Sequence, residues 1–173
     1  MRLDEKVLNK VKGIRSKVED NSDQLNDIVD EILHPYVKDL DKYVTFIREC
    51  LQDGTKPATD EELEDWCLNL STYIYFAGGM CEQLGIRDDI SKSIYKEMYH
   101  KARASQDRGT VADKDSLAEL ASQEEQLVSI CYNRAYKTLK AKIDNAQELM
   151  SSCKKALSRR MQEMELTRLG GNQ

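Results

Sequence analysis

An all-α fold, drawn out as an elongated helical bundle with a long C-terminal helix, is what this 173-residue sequence predicts, on three observations. Charged residues make up 33% of the chain, aromatics only 6%, and there are two prolines, a profile of long helices rather than of sheets. From Val128 to Met164 one apolar stripe recurs at about 100° per residue through Cys131, Ala135, Leu139, Ile143, Ala146, Met150, Cys153, Leu157, Met161 and Met164. Shorter stripes of the same period fill the rest of the chain, which is long enough to bury one real core.

In chain order, Leu3, Val7, Val11, Ile14 and Val18 alternate in steps of four and three, the heptad spacing of a short helix. Asn21 and Ser22 offer a cap for a second helix, whose face is Leu25, Ile28, Val29, Ile32, Tyr36, Leu40, Val44, Ile47 and Leu51. Pro35 lies inside it and predicts a kink or restart near His34, because proline lacks the backbone donor and crowds the preceding turn. DGTKPATDEEL is the clearest linker, with Gly54 as a stop and Thr59 with Glu62 as the capping box of the next helix. That helix, Asp60 to Leu84, is expected to bury Leu63, Trp66, Cys67, Leu70, Tyr73, Ile74, Ala77, Cys81 and Leu84, with Gly78-Gly79 permitting close packing or a bend. Gly85 would end it, and Asp88 or Asp89 would cap a basic helix over 89–108 with Ile90, Ile94, Met98 and Ala102 as its apolar face. After a turn at Arg108, Gly109 and Thr110, Asp113 or Asp115 caps a last helix over 113–166, about 75 Å long if unbroken. The domain reading is therefore an acidic helical segment over 1–53 and a helical core over 54–173.

Charge is segregated along the chain despite a net value of only −5. Between Asp20 and Leu70 there are 14 acids against 4 bases, whereas between Tyr132 and Arg160 there are 2 acids against 8 bases. The last helix thus pairs its apolar seam with an opposite side carrying Arg134, Lys137, Lys140, Lys155 and Arg159, a second candidate nucleic-acid-binding surface, interrupted by Asp144 and Glu148. The helix over 89–108 sets Lys92, Lys96, Lys101 and Arg103 beside Tyr95 and Tyr99. Cations neutralise phosphates and aromatic rings stack on unpaired bases, so this mixture suits a single strand. The competing reading makes both tyrosines half-buried packing residues with their hydroxyls at the surface, and the basic side of the last helix a solvated face.

Other chemistry is sparse. Five cysteines, Cys50, Cys67, Cys81, Cys131 and Cys153, form no CxxC pair and sit mostly where a helix buries a small apolar residue, and His34 and His100 add no zinc-site spacing. No nucleophile elbow, HExxH or Ser-His-Asp pattern is present, so a non-enzymatic role without cofactor is expected. No apolar run reaches the ~20 residues of a membrane span, and MRLDEKVLNK lacks the core of a signal peptide, which points to the cytoplasm.

The layout from Ile90 onward, SKSIYKEMYHKAR, a short polar loop, then YNRAYKTLKAKID and CKKALSRRMQEMEL in one long helix, resembles the small helical recombination mediators of tailed phages, the UvsY type. The resemblance implies a homo-oligomeric single-stranded DNA binder in the host cytoplasm that helps to load a RecA-like recombinase onto strand coated with single-strand-binding protein. It puts DNA contact on Lys92, Tyr95, Lys96, Tyr99, Lys101 and Arg103, with self-association through the long C-terminal helix. On that helix the seam residues are Leu139, Ile143, Ala146, Met150, Leu157, Met161 and Met164, packed between copies as in a coiled coil. The chain departs from that pattern in its longer, acidic N-terminal half. A helical scaffold or adaptor that binds another protein and no nucleic acid is the alternative reading.

Overall fold

The computed structural model describes the backbone of residues 5–52 and 57–170, and the side chains of residues 20–52 and 57–169. Within them the chain is all-α: α1 (Glu5–Gln52), α2 (Asp60–Ala104), α3 (Val111–Ala121) and α4 (Gln123–Gly170), with no strand among the described residues. The heptad side chains from Leu3 to Val18, the stop at Gly54 and the end of the tail lie outside the described residues.

The helices are fewer and longer than the sequence suggests. α1 runs unbroken through Asn21, Ser22 and Pro35. A cap residue starts a helix only where the apolar period restarts, and here the seven-residue step from Val18 to Leu25 keeps the period in phase. Pro35 is exposed, so water can satisfy the carbonyl one turn back that loses its donor. α2 likewise passes through Gly78-Gly79, Gly85 and Asp88. Gly85 is a close approach instead of a stop: a Cβ there would lie 3.3 Å from the Tyr136 ring. Around Gly78 and Gly79 nothing lies within 4 Å of such a Cβ, so neither glycine serves close packing among the described residues.

Two boundaries are fixed by hydrogen bonds. At the start of α2, Glu62 N–H donates to Thr59 Oγ1 at 3.2 Å and Thr59 N–H donates to Glu62 Oε2 at 2.7 Å, the reciprocal box that the spacing predicts. Before α3, Gly109 takes φ +114°, a backbone conformation other residues rarely adopt, and Thr110 is the N-cap with Asp113 as its reciprocal partner. Asp113 and Asp115 are thus not the caps themselves.

The expected single helix over 113–166 is divided at Ser122. This residue is buried; its backbone N–H and its hydroxyl both bond the Ala118 carbonyl, at 3.1 and 2.8 Å, which ends α3.

The chain forms two compact units, each assembled from separate stretches. The first combines the described parts of Met1–His34 with Arg87–Ala135, the second Pro35–Ile86 with Tyr136–Gln173. Among the described residues the second unit holds most of the buried apolar side chains. Val37, Leu40 and Ile47 from α1 meet Leu63, Trp66, Leu70, Ala77, Cys81 and Leu84 from α2 and Leu139, Ile143, Ala146 and Cys153 from α4, all buried. Each fully buried leucine or isoleucine there contributes about 1.5–3 kcal/mol. Arg160 reaches Asp60 Oδ1 at 2.7 Å and the Cys67 thiol reaches the Met150 carbonyl at 3.7 Å, so α2 and α4 run antiparallel in this unit. Lys142 pairs with Asp41 at 2.7 Å, holding α4 to α1.

The first unit is packed through smaller and more polar groups. Its buried described residues are Leu33, Asp88, Ser91, Ala118, Ser122, Ser129, Cys131 and Ala135. Small side chains let helices approach closely, and the larger apolar residues of the same segments are left outside.

Candidate nucleic-acid interface

The basic-aromatic part of α2 is turned the other way round from the sequence expectation. Of the expected apolar face Ile90, Ile94, Met98 and Ala102, the first three are 53, 48 and 36% exposed and Ala102 is half-buried, while Asp88 and Ser91 are buried and Tyr95 and Tyr99 half-buried. The cause is the polar contacts this face finds in α3 and α4. Asn133 donates to Asp88 Oδ2 at 3.0 Å, Lys92 pairs with the same oxygen at 2.6 Å, and the Tyr99 hydroxyl donates to Asp115 Oδ1 at 3.1 Å. Ser91 Oγ donates to the Asp88 carbonyl at 2.7 Å. Asp88 Oδ1 is buried with no partner, an unmet acceptor in the first unit.

These contacts decide what each expected site residue can do. Tyr95 and Tyr99 lie with ring centroids 6.5 Å apart, against the unit rather than facing outward as a stacking platform. Partial burial, and then the Asp115 carboxylate, raise the Tyr99 phenol above its ordinary value. Arg103 pairs with Asp115 at 2.7 Å, Lys101 with Glu97, and Arg159 with Glu163 at 2.9 Å. The hydrogen bond from Lys101 holds the Glu97 carboxyl below its usual range. Lys96, Arg134, Lys137, Lys140 and Lys155 are exposed and make no ion pair among the described residues.

Of those five, Lys137, Lys140 and Lys155 belong to the α4 segment of the second unit, on the side opposite its buried stripe, where Asp144 and Glu148 separate Lys155 from the other two. The stripe itself packs as its spacing predicts as far as Leu157, but inside one chain. Leu139, Ile143 and Ala146 are buried and Met150 and Leu157 half-buried within the chain's own second unit. Only Met161 and Met164, 59 and 53% exposed, remain outside.

Exposed aromatic surface lies elsewhere. Tyr75 and Phe76, in the second unit, are 78 and 60% exposed, with ring centroids 5.6 Å apart and nearly perpendicular. The signal was legible: both positions fall off the stripe set by Leu70, Ala77 and Leu84. Two apolar clefts open in the first unit. One, of about 480 Å³, lies between Ile90 and Ile94 of α2 and Val128 and Tyr132 of α4, with Glu124 and Glu125 at its edge. The other, of about 680 Å³, lies between Leu25, Ile28 and Ile32 of α1 and Leu127, Val128 and Tyr132 of α4.

Among the described residues there is no group of three or more His, Cys, Asp or Glu able to hold a metal ion, and no helix long and apolar enough to cross a membrane. Cys67, Cys81, Cys131 and Cys153 are half-buried or buried, and burial pushes their thiols up; Cys50 is exposed. No family model, curated protein or solved structure compared with the chain matches it.

Proposed function

We propose that this protein is a non-enzymatic helical accessory factor that binds single-stranded DNA, in the manner its resemblance to phage recombination mediators implies. The observation that supports the reading is the set Lys137, Lys140 and Lys155, exposed, without ion pairs among the described residues and on one side of α4. Free ammonium groups of this kind release counterions when they neutralise phosphates, whereas lysines and arginines already paired to carboxylates gain less. Tyr75 and Phe76 of the same unit offer open aromatic faces, the second ingredient of strand binding. Of the two basic surfaces expected to contact DNA, this reading rests on the outer side of α4 rather than on Tyr95, Tyr99, Lys92 and Arg103. A single chain presents few such cations, so avid binding calls for several copies along one strand. A RecA-like recombinase and single-strand-binding protein are the protein partners this reading carries.

The test is fluorescence anisotropy with a labelled single-stranded oligonucleotide across a salt series. Lys137→Gln, Lys140→Gln and Lys155→Gln together are expected to flatten the slope of log affinity against log salt by about 0.7 per cation removed. An affinity and slope equal to those of the unsubstituted protein sink the reading.

A scaffold or adaptor that binds another protein is favoured by a different observation, the exposed Leu68, Tyr75, Phe76 and Met80 on α2. No shift of the oligonucleotide at low salt is its expected outcome.

A further inference from the structure

Among its described residues the first unit leaves large apolar side chains outside, and the geometry points to a second copy of this chain as what covers them. Six of its large apolar side chains, Ile28, Ile90, Ile94, Met98, Leu127 and Val128, are exposed by between 36 and 53%, while its buried positions are mostly Ala, Ser, Cys and Asp. Together they present on the order of 500 Å² of apolar surface. That matches the apolar share, roughly 57%, of the ~800 Å² that each partner contributes to a stable interface.

Shape and charge identify the occupant. Ile90, Ile94 and Met98 recur every fourth residue and form an outward ridge on α2. The cleft between α1 and α4 is a groove lined by Leu25, Ile28 and Leu127. Ridges into grooves is the general way helices pack, and both halves of such a contact are present on one chain. Val128 and Tyr132 line this groove and also the cleft beside Ile90 and Ile94, so ridge and groove are neighbours. One two-fold contact therefore uses both at once, each copy giving its α2 ridge to the other's α1/α4 groove.

Charge agrees with this pairing. By helical spacing Asp20, Asp27 and Glu31 flank the groove on α1, with no lysine or arginine between residues 20 and 34. The ridge side of α2 carries Arg87, beside the neighbouring cleft, and Lys101, which is paired with Glu97. The inference stands on burial, shape and charge in the first unit and holds whether or not the protein binds DNA.

Sedimentation or light-scattering mass measurement of the full chain tests it. The unsubstituted protein is expected to have twice the chain mass at micromolar concentration. Ile94→Glu in the ridge and Ile28→Glu in the groove are each expected to weaken pairing at least about tenfold while keeping the helical circular dichroism. In a heterodimer of the two variants, one ridge and one groove remain intact and face each other. Mixing them is expected to recover part of the pairing that neither shows alone. Ile94→Gln and Ile28→Gln give the same readout should the glutamates perturb folding. A chain that stays monomeric, a larger assembly, variants that keep the unsubstituted mass, or a mixture no better than its components would each overturn the proposal.

Discussion

The Tyr99 hydroxyl donates to Asp115 Oδ1 at 3.1 Å, joining α2 to the first turns of α3. Arg103 Nε reaches the same oxygen at 2.7 Å, so one carboxylate holds both a tyrosine and a cation that would otherwise suit a nucleic-acid surface. Tyr99→Phe is accordingly expected to change single-strand affinity by less than about twofold, a small fraction of the 1–3 kcal/mol that a stacked base contributes. Asp115→Asn is expected to raise the affinity by freeing Arg103. Anisotropy measured at one fixed low salt concentration checks both.

Leu139 is fully buried inside the second unit, whereas Met161 is largely exposed. Leu139→Ala is expected to cost about 2–5 kcal/mol in urea unfolding, through lost transfer energy and a residual cavity. Met161→Ala is expected to stay within about 0.5 kcal/mol. Because the Leu139 contact lies within one chain, its cost should not vary with protein concentration. A loss that shrinks as protein is concentrated would mean that the residue packs between copies.

Lys92 lies 2.6 Å from an Asp88 carboxylate that is only 3% exposed. Lys92→Met is expected to destabilise by about 2–4 kcal/mol, the lower end reflecting the partial exposure of the lysine, because it strands a charge away from water. Asn133→Ala removes one neutral donor to the same oxygen and is expected to cost about 1 kcal/mol. Equal effects in denaturant titrations would show that the lysine is not the main counter-charge.

Stability should be flat across the middle of the pH range and fall on both sides. Burial raises the thiols of Cys67, Cys81, Cys131 and Cys153, so the native state binds those protons more tightly than the unfolded chain. Their contribution is complete below the ordinary thiol value near ~8.5 and is lost as pH rises through the folded values. The Thr59 backbone holds Glu62 down, and the Thr110 hydroxyl holds Asp113 down. Those contributions are present above the ordinary carboxylate range, near ~4, and are lost as pH falls through the folded values. The thermal midpoint followed from acid to alkali checks both limbs.

The same burial orders the thiols by reactivity. Cys50 is exposed and should label with a maleimide at the rate of a free thiol, while Cys81, Cys131 and Cys153 should label only on unfolding. Mass spectrometry of native and denatured samples counts the labels. Rapid labelling of Cys131 in the native protein would contradict the packing of the first unit.

By itself the sequence determined the helical class, the Thr59 and Glu62 box that starts α2, and the α4 stripe from Cys131 to Leu157. Each depends only on neighbours within a few positions, where periodicity and hydrogen-bonding partners a turn away can be read directly. The break at Ser122 had a local signal as well, a serine followed three residues later by Glu125. Only the tertiary structure decided which face of α2 turns inward beyond Arg87. An apolar stripe at Ile90, Ile94 and Met98 marks a face that prefers cover, but Asp115 and Asn133, distant in sequence, supply the polar partners that turn Tyr99 and Asp88 inward instead. It also decided that Leu139 packs against its own chain and that Lys137, unlike Arg103, makes no ion pair among the described residues. Burial and ion pairing depend on which helices meet, and no local spacing specifies that.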